Sequence, residues 1–189
     1  MKYRTIVADP PWFYERSTGL GGTRAAADNY PTMTNAEIAA LPVADMADDS
    51  AHLYLWVTNP RLFREAGDEC GPRDIMEAWG FRYTTMLTWH KLGAPGMGWY
   101  FRGDTEHVLF GFKGEAPIPT DLRVSNHFAA ARSGHSRKPD RFYEIVERVS
   151  PAPHLELFAR RRRFGWDVWG NEAPEQAVSQ AVLDLDGVA

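Results

Sequence analysis

A single cysteine, Cys70, is all the chain has. One thiol excludes an intrachain disulfide framework and any zinc site built on paired cysteines. Long apolar runs are missing as well. None approaches the ~18 residues of a membrane-spanning helix, and no signal peptide is expected. The expected setting is the cytoplasm, with no membrane partner. Strong charge of one sign is absent too, the net charge being −4 over 189 residues. That excludes a uniformly basic nucleic-acid binder and leaves room for a local basic face. No Gly-x-Gly-x-x-Gly follows the first apolar run, and Gly19, Gly21 and Gly22 lie too far on to replace it. His, Asp and Glu show no metal-ligand spacing, so no metal is expected. Ser133 and Ser136 have no patterned His–Asp partners, which argues against a serine hydrolase.

What the chain does have is aromatic surface and uneven charge. Aromatics make up 13 %, with seven Trp, enough for stacking surfaces as well as a core. From Arg132 to Arg163 there are nine Lys/Arg against four Asp/Glu, and no basic residue follows Arg163. The length suits one compact domain.

Apolar, β-rich runs recur at 4–8, 52–57, 84–90, 106–112 and 154–159. Helical patterns lie between them. Thr34 with Glu37 is a capping box that opens a short helix ending before Pro42. Asn59-Pro60 opens a helical stretch toward Trp79, broken around Gly71-Pro72. Pro139 opens another helix, with Phe142, Ile145, Val146 and Val149 on one face. Alternating strands and helices predict an α/β fold: a Rossmann-like, doubly wound, mostly parallel sheet. Gly-rich loops are expected at 17–29 and 93–103. The domain is expected to span 1–172, followed by an acidic tail, 173–189, that is mobile or weakly helical.

The most informative residues are Asp9-Pro10-Pro11-Trp12, at the exit of the first strand. Each proline fixes its own φ and holds the preceding residue extended. The expected turn is stiff and presents one carboxylate, free backbone carbonyls and one flat ring at the tip of the sheet. That set suits a planar heterocycle with an exocyclic amino group. Strand tips are also where open α/β sheets bind ligands.

These residues resemble the catalytic motif of N6-adenine methyltransferases that use S-adenosylmethionine. More narrowly, the chain is similar to the family that contains the catalytic subunit of the messenger-RNA adenosine methyltransferase and its bacterial and phage relatives. The likeness continues in order through Asn29-Tyr30-Pro31-Thr32-Met33-Thr34, Leu53-Tyr54-Leu55-Trp56-Val57-Thr58 and the Glu106-His107 stretch that ends at Lys113. It then runs through Lys138-Pro139-Asp140, Glu156-Leu157-Phe158-Ala159-Arg160 and Gly170-Asn171. It covers roughly residues 3 to 172.

The resemblance implies direct methyl transfer to adenine N6, catalysed by Asp9, Pro10, Pro11 and Trp12. Asp9 and the Pro10 carbonyl accept the amino protons, and Trp12 and Tyr30 stack on the base. Trp56, Arg102 and Ser136 complete the substrate side. The cofactor strand comes last in sequence. By the same resemblance, S-adenosylmethionine is expected to be held by Asp9, Lys138, Glu156, Arg160, Arg162, Arg163, Asn171 and Glu172. A lysine at a helix N-terminus suits the cofactor carboxylate. Arg162 and Arg163 stand where the messenger-RNA enzyme has a His-Asn pair, so a phosphate-facing patch is an equal reading for them. Arg102, Arg132 and Arg137 are candidates for the nucleic-acid backbone. His127 and His135 flank a loop before Lys138 and are candidates to touch substrate, while His52, His90 and His154 read as core or structural residues. The compact format looks like the bacterial or phage branch, where DNA is the usual substrate. RNA is the alternative, and a non-catalytic nucleic-acid-binding subunit is a third reading. A homodimer is left open.

Overall fold

Residue alternation along the strands builds two faces. In β1 (Tyr3–Ala8), Ile6 and Ala8 point to one side and Val7 to the other. In β2 (Ala47–Val57), Leu53, Leu55 and Val57 join the first side, Tyr54 and Trp56 the second. On the first side lie α1 (Asn35–Ala39), α2 (Val43–Met46) and α3 (Pro72–Ala78), which bring Ile38, Val43, Ile75 and Met76 into the core. The second side is covered by α4 (Asp140–Val149), through Phe142, Tyr143, Ile145, Val146 and Val149.

A computed structural model describes residues 1–13, 31–63, 69–96, 100–132 and 137–169. Among these, seven strands form one sheet in the order β5-β3-β4-β2-β1-β6-β7. The remaining strands are β3 (Arg82–Leu92), β4 (Thr105–Lys113), β5 (His127–Ala131), β6 (His154–Leu157) and β7 (Trp166–Trp169). Every neighbouring pair is parallel except the two that involve β4, which runs against the rest. The expected mostly parallel, doubly wound sheet is what the chain forms. No helix among the described residues is long and apolar enough to cross a membrane.

Local signals explain most boundaries. Thr34 Oγ1 accepts from the Glu37 amide at 3.2 Å, and the Thr34 amide donates to Glu37 Oε2 at 2.7 Å, so the capping box forms as the sequence suggests. The stretch after Asn59 is a single 3-10 turn, Asn59–Arg61, and α3 begins afresh at Pro72. Gly71 donates to Asp74 Oδ2 at 2.7 Å across that start. Gly111 in β4 permits a close approach, since a Cβ there would lie 2.6 Å from the Met76 methyl and from the Arg82 carbonyl.

Two strands escaped the sequence reading. β5 is His-Phe-Ala-Ala-Ala, poor in the β-branched residues that mark strands. β7 is only four residues, Trp-Asp-Val-Trp, at the sheet edge. Both are made strands by pairing with β3 and β6, which is a tertiary cause.

The aromatic face centres on Phe142, which is fully buried. Its ring lies 4.7 Å from Trp56, 5.3 Å from Tyr143 and 5.8 Å from Tyr54. Phe142→Ala is expected to cost about 3–5 kcal/mol, and Phe142→Leu under about 1.5 kcal/mol. Urea midpoints for the two variants check this. Equal losses would show that ring shape, rather than cavity volume, governs the α4 contact.

Candidate active site

The chain leaves β1 through Asp9. Continuing the alternation from Val7 puts its side chain on the α4 side of the sheet. The turn that follows is pinned on both flanks. The Trp12 amide donates to the Pro10 carbonyl at 2.9 Å, and the Met33 amide donates to the Pro11 carbonyl at 2.9 Å. Phe13 donates to Met33 O at 3.0 Å, and the Arg61 guanidinium donates to the Phe13 carbonyl. Both proline carbonyls are therefore engaged, not free as expected, although each keeps a second lone pair. The Trp12 ring also differs from expectation. It is 4 % exposed, packs in the core under β1 and β2, and donates its indole N–H to the Trp56 carbonyl at 3.1 Å. In this structure its ring braces the turn from beneath.

Four charged side chains meet above the aromatic face. Lys138 Nζ lies 3.0 Å from Asp9 Oδ1 and 3.1 Å from Glu106 Oε2. Lys91 donates to the other oxygen of Glu106. Alternation places them: Lys91 follows Leu87 and Trp89 along β3, and Glu106 precedes Val108 and Phe110 along β4. Trp56, read as a substrate contact, is 1 % exposed and lies beneath the Lys138 ammonium, 4.7 Å from ring centre to nitrogen. Burial pushes the Asp9 carboxyl above its usual range; Lys138 pulls it back, and Glu106 adds to the rise. Burial also works to raise Glu106, but Lys138 and Lys91 outweigh it and hold that carboxyl low. Burial opposes the charge on Lys138, and the two carboxylates overcome this and raise it. Lys138 is thus a firmly held cation.

β6 contributes the next group. Leu155 and Leu157 face α1 and α3, so Glu156 faces α4 and is buried. It accepts from Tyr143 Oη at 2.6 Å, and its Oε2 is buried with no hydrogen-bond partner. Phe158 then takes a left-handed backbone, φ 61°, where a bulky residue is strained. The Ala159 amide closes the turn onto Trp169 O at 2.8 Å.

The four arginines that follow are divided. Arg160 acts on Asp9, lowering its proton affinity. Arg161 and Arg163 both reach Asp140 Oδ1 at the start of α4. The Arg163 guanidinium also lies 4.2 Å from the Tyr143 ring centre and 3.7 Å from Glu147. Arg162 is exposed. Of this run, Arg160 lowers the proton affinity of Asp9, while Arg163 ties the loop to α4.

Other predicted residues lie further out. Arg102 donates to the carbonyls of Gly96 at 3.2 Å and Pro95 at 3.3 Å, and Arg132 donates to Gly103 O at 3.4 Å. Both brace the hairpin extension between β3 and β4. Arg137 sits 3.6 Å from Asp140 Oδ2. His127 lies on edge strand β5, its ring stacked on that of His90 at 6.2 Å. His52 is buried, held between Ser150 and the Ala116 carbonyl. Tyr30, Ser136, His135, Asn171, Glu172 and the 173–189 tail fall outside the described residues. Among the described residues, no His, Cys, Asp and Glu side chains cluster in a way that could hold a metal ion. Sequence reasoning assigned no role to Lys91 or Glu106. Glu106 was within a recognised stretch, and its two-residue spacing from Val108 was the available signal.

Burial lifts the Glu156 carboxyl to about 7, against the pull of the Tyr143 hydrogen bond. A carboxyl whose folded value is raised favours the folded state while protonated. That contribution is complete below the unfolded value near 4.5 and is lost as pH rises through about 7. Glu156→Gln should therefore remove the decline in stability between pH 5 and pH 8. At pH 8 the variant should gain on the order of 1–3 kcal/mol. Chemical denaturation at both pH values checks this.

The sequence pattern of the MT-A70 family matches residues 3–172. The chain is 32 % identical over 195 residues to the type II methyltransferase M.MunI of Mycoplasma sp., spanning 94 % of this chain and 80 % of that protein. It is 30 % identical over 180 residues to the N(6)-adenosine-methyltransferase MT-A70-like protein of Arabidopsis thaliana, and 28 % identical over 181 residues to the N(6)-adenosine-methyltransferase catalytic subunit METTL3 of Homo sapiens. Those two matches span 90 % of this chain but 24 % and 28 % of the relatives. With its Asp-Pro-Pro-Trp turn at the carboxyl end of β1 and this likeness along nearly its whole length, the chain belongs to the MT-A70 family.

Proposed function

We propose that this chain transfers a methyl group from S-adenosylmethionine to N6 of adenine in DNA. The observation that carries the reading is the largely enclosed Asp9 carboxylate, 17 % exposed, beside the Pro10 carbonyl at the carboxyl end of β1. Strand order reverses there: β1 is flanked by β2 on one side and β6 on the other. Such a switch point is where open α/β sheets form ligand crevices.

The residues around this crevice fit the cofactor. It carries a carboxylate at one end and positive charge at its amine and sulfonium. The crevice offers cations, Lys138 and Arg160, beside the carboxyls of Asp9 and of Glu156, whose buried Oε2 lacks a partner. We assign Lys138 and Arg160 to the cofactor carboxylate, with Arg162, Asn171 and Glu172 at other parts of the cofactor, while Arg163, held by Asp140 and Glu147, fixes the loop that carries them. When bound, S-adenosylmethionine supplies an electrophilic methyl group.

The chain's own residues do the rest. An adenine amine is a poor nucleophile because its lone pair is delocalised into the ring. Asp9 and the second lone pair of the Pro10 carbonyl accept hydrogen bonds from its two N–H groups and turn the nitrogen toward a tetrahedral shape. Asp9 then stabilises the positive charge that develops on that nitrogen. Once the methyl group has arrived, the charged nitrogen gives up one proton to Asp9 or water. The pinned turn, with the Trp12 ring packed beneath it, fixes the acceptors before substrate arrives, so orientation is established in advance. Tyr30, Arg102 and Ser136 take the substrate side. A duplex must first yield its base, at a cost of a few kcal/mol.

The likeness to a type II methyltransferase, at 32 % identity, supports DNA. The likeness covers four-fifths of a type II methyltransferase and about a quarter of the named adenosine methyltransferases. RNA is the second reading, favoured by the names of those longer relatives.

The test is incubation with S-adenosylmethionine and single- and double-stranded DNA and RNA, followed by nucleoside mass spectrometry. N6-methyladenine is expected in DNA, and its absence from every substrate sinks the proposal. Asp9→Asn should lower the rate by at least ~100-fold with the fold retained. The wild-type rate should also fall on acidification at a pH above the ordinary carboxylate range, because burial raises Asp9 and the protonated acid cannot accept the amine proton.

A further inference from the structure

Lys138 lies almost equally far from two carboxylates, Asp9 at 3.0 Å and Glu106 at 3.1 Å. All three side chains are less than one-fifth exposed, as is Lys91 on the far side of Glu106. The four alternate in sign in the order Lys91, Glu106, Lys138, Asp9. They come from β3, β4, the lead into α4 and the end of β1. An ion pair needed only for stability requires two members. Here the second pair stands outside the first and pulls on its cation.

We infer that Glu106, backed by Lys91, is a positioning residue for Asp9: it shares the Lys138 ammonium so that Asp9 stays charged yet keeps acceptor capacity for the substrate amine. This rests on the role proposed for Asp9 above. Were Glu106 absent, Lys138 could turn both of its engaged N–H groups to Asp9 and occupy the lone pairs the substrate needs. Were Lys91 absent, Glu106 would draw Lys138 away and leave Asp9 under-neutralised in a buried site. Other groups near Asp9 are Arg160 after β6, Glu156 on β6 and Tyr143 on α4. None of these is altered by changes at positions 91 or 106.

The two deletions should act in opposite directions. Glu106→Gln removes a neighbouring negative charge and releases Lys138 to Asp9, and both effects lower the Asp9 titration point. Lys91→Met shifts Lys138 toward Glu106 and raises it. Lys91→Arg keeps the cation and should return the wild-type value.

The readout is carbon-13 NMR of the aspartate side-chain carboxyls in the free 189-residue chain, with the Asp9 signal assigned by its loss in Asp9→Asn. Each shift is expected to be on the order of one pH unit. The acid limb of kcat/KM for adenine methylation should move the same way in each variant. Shifts of the same sign in both deletions, or no shift in either, overturn the inference. Because the NMR titration needs no turnover, the two proposals fail separately. Opposed shifts in a protein that methylates nothing reject the proposed reaction and leave the charge sharing in place. Methylation with no opposed shifts rejects the positioning role alone.

Discussion

The site depends on one largely enclosed ammonium, that of Lys138. Removing a lysine charge from water costs several kcal/mol in a protein interior. A single carboxylate at ~4 Å returns about 4 kcal/mol at an effective dielectric constant near 20. One partner therefore does no more than offset the lysine's own penalty, and a second adds attraction for the same ammonium. Lys138 has two, at 3.0 and 3.1 Å, with the Trp56 ring beneath. Its backbone is fixed just as firmly. Pro139 holds the extended φ −71°, ψ 144° that precedes α4, and Phe142, one turn on, locks that helix to the sheet. Aromatic packing on one face thus sets where the ammonium sits, and the ammonium sets how Asp9 is presented.

Much of this was legible in the residues. The Asp-Pro-Pro-Trp turn, the capping box at Thr34 and the apolar stripe Phe142, Ile145, Val146, Val149 each carry a local signal that tertiary contacts reinforce. β5 and β7 were not legible, because an alanine-rich pentapeptide and a four-residue edge become strands only through their neighbours. The orientation of Trp12 was not legible either. A proline pair predicts a stiff turn, but whether the ring that follows faces ligand or core depends on the cavity beside β2, where the Trp56 carbonyl waits for an N–H. The role of Lys91 was hidden for a related reason. Its two-residue spacing from Trp89 fixes its face, but only the antiparallel pairing of β3 with β4 brings it to Glu106.

The arginine run shows why composition alone misleads about charge. Four consecutive arginines read as one basic patch. In the structure Arg161 and Arg163 are drawn to Asp140, with Glu147 also near Arg163, while Arg160 acts on Asp9. This division follows from the left-handed turn at Phe158, which redirects the chain just before the run begins. It has an electrostatic result. Near Asp9 the cations Lys138, Lys91 and Arg160 face Asp9, Glu106 and a Glu156 that is partly ionised near neutral pH. The set is close to balanced. In the proposed reaction a positive charge leaves sulfur and arrives at nitrogen. A strongly cationic pocket would repel both the sulfonium of a bound cofactor and the charge arriving on the amine, whereas a balanced one leaves the decision to the nearest group. With Arg161 and Arg163 neutralised at α4, that nearest group is the Asp9 carboxylate, which favours the charge on the amine it holds.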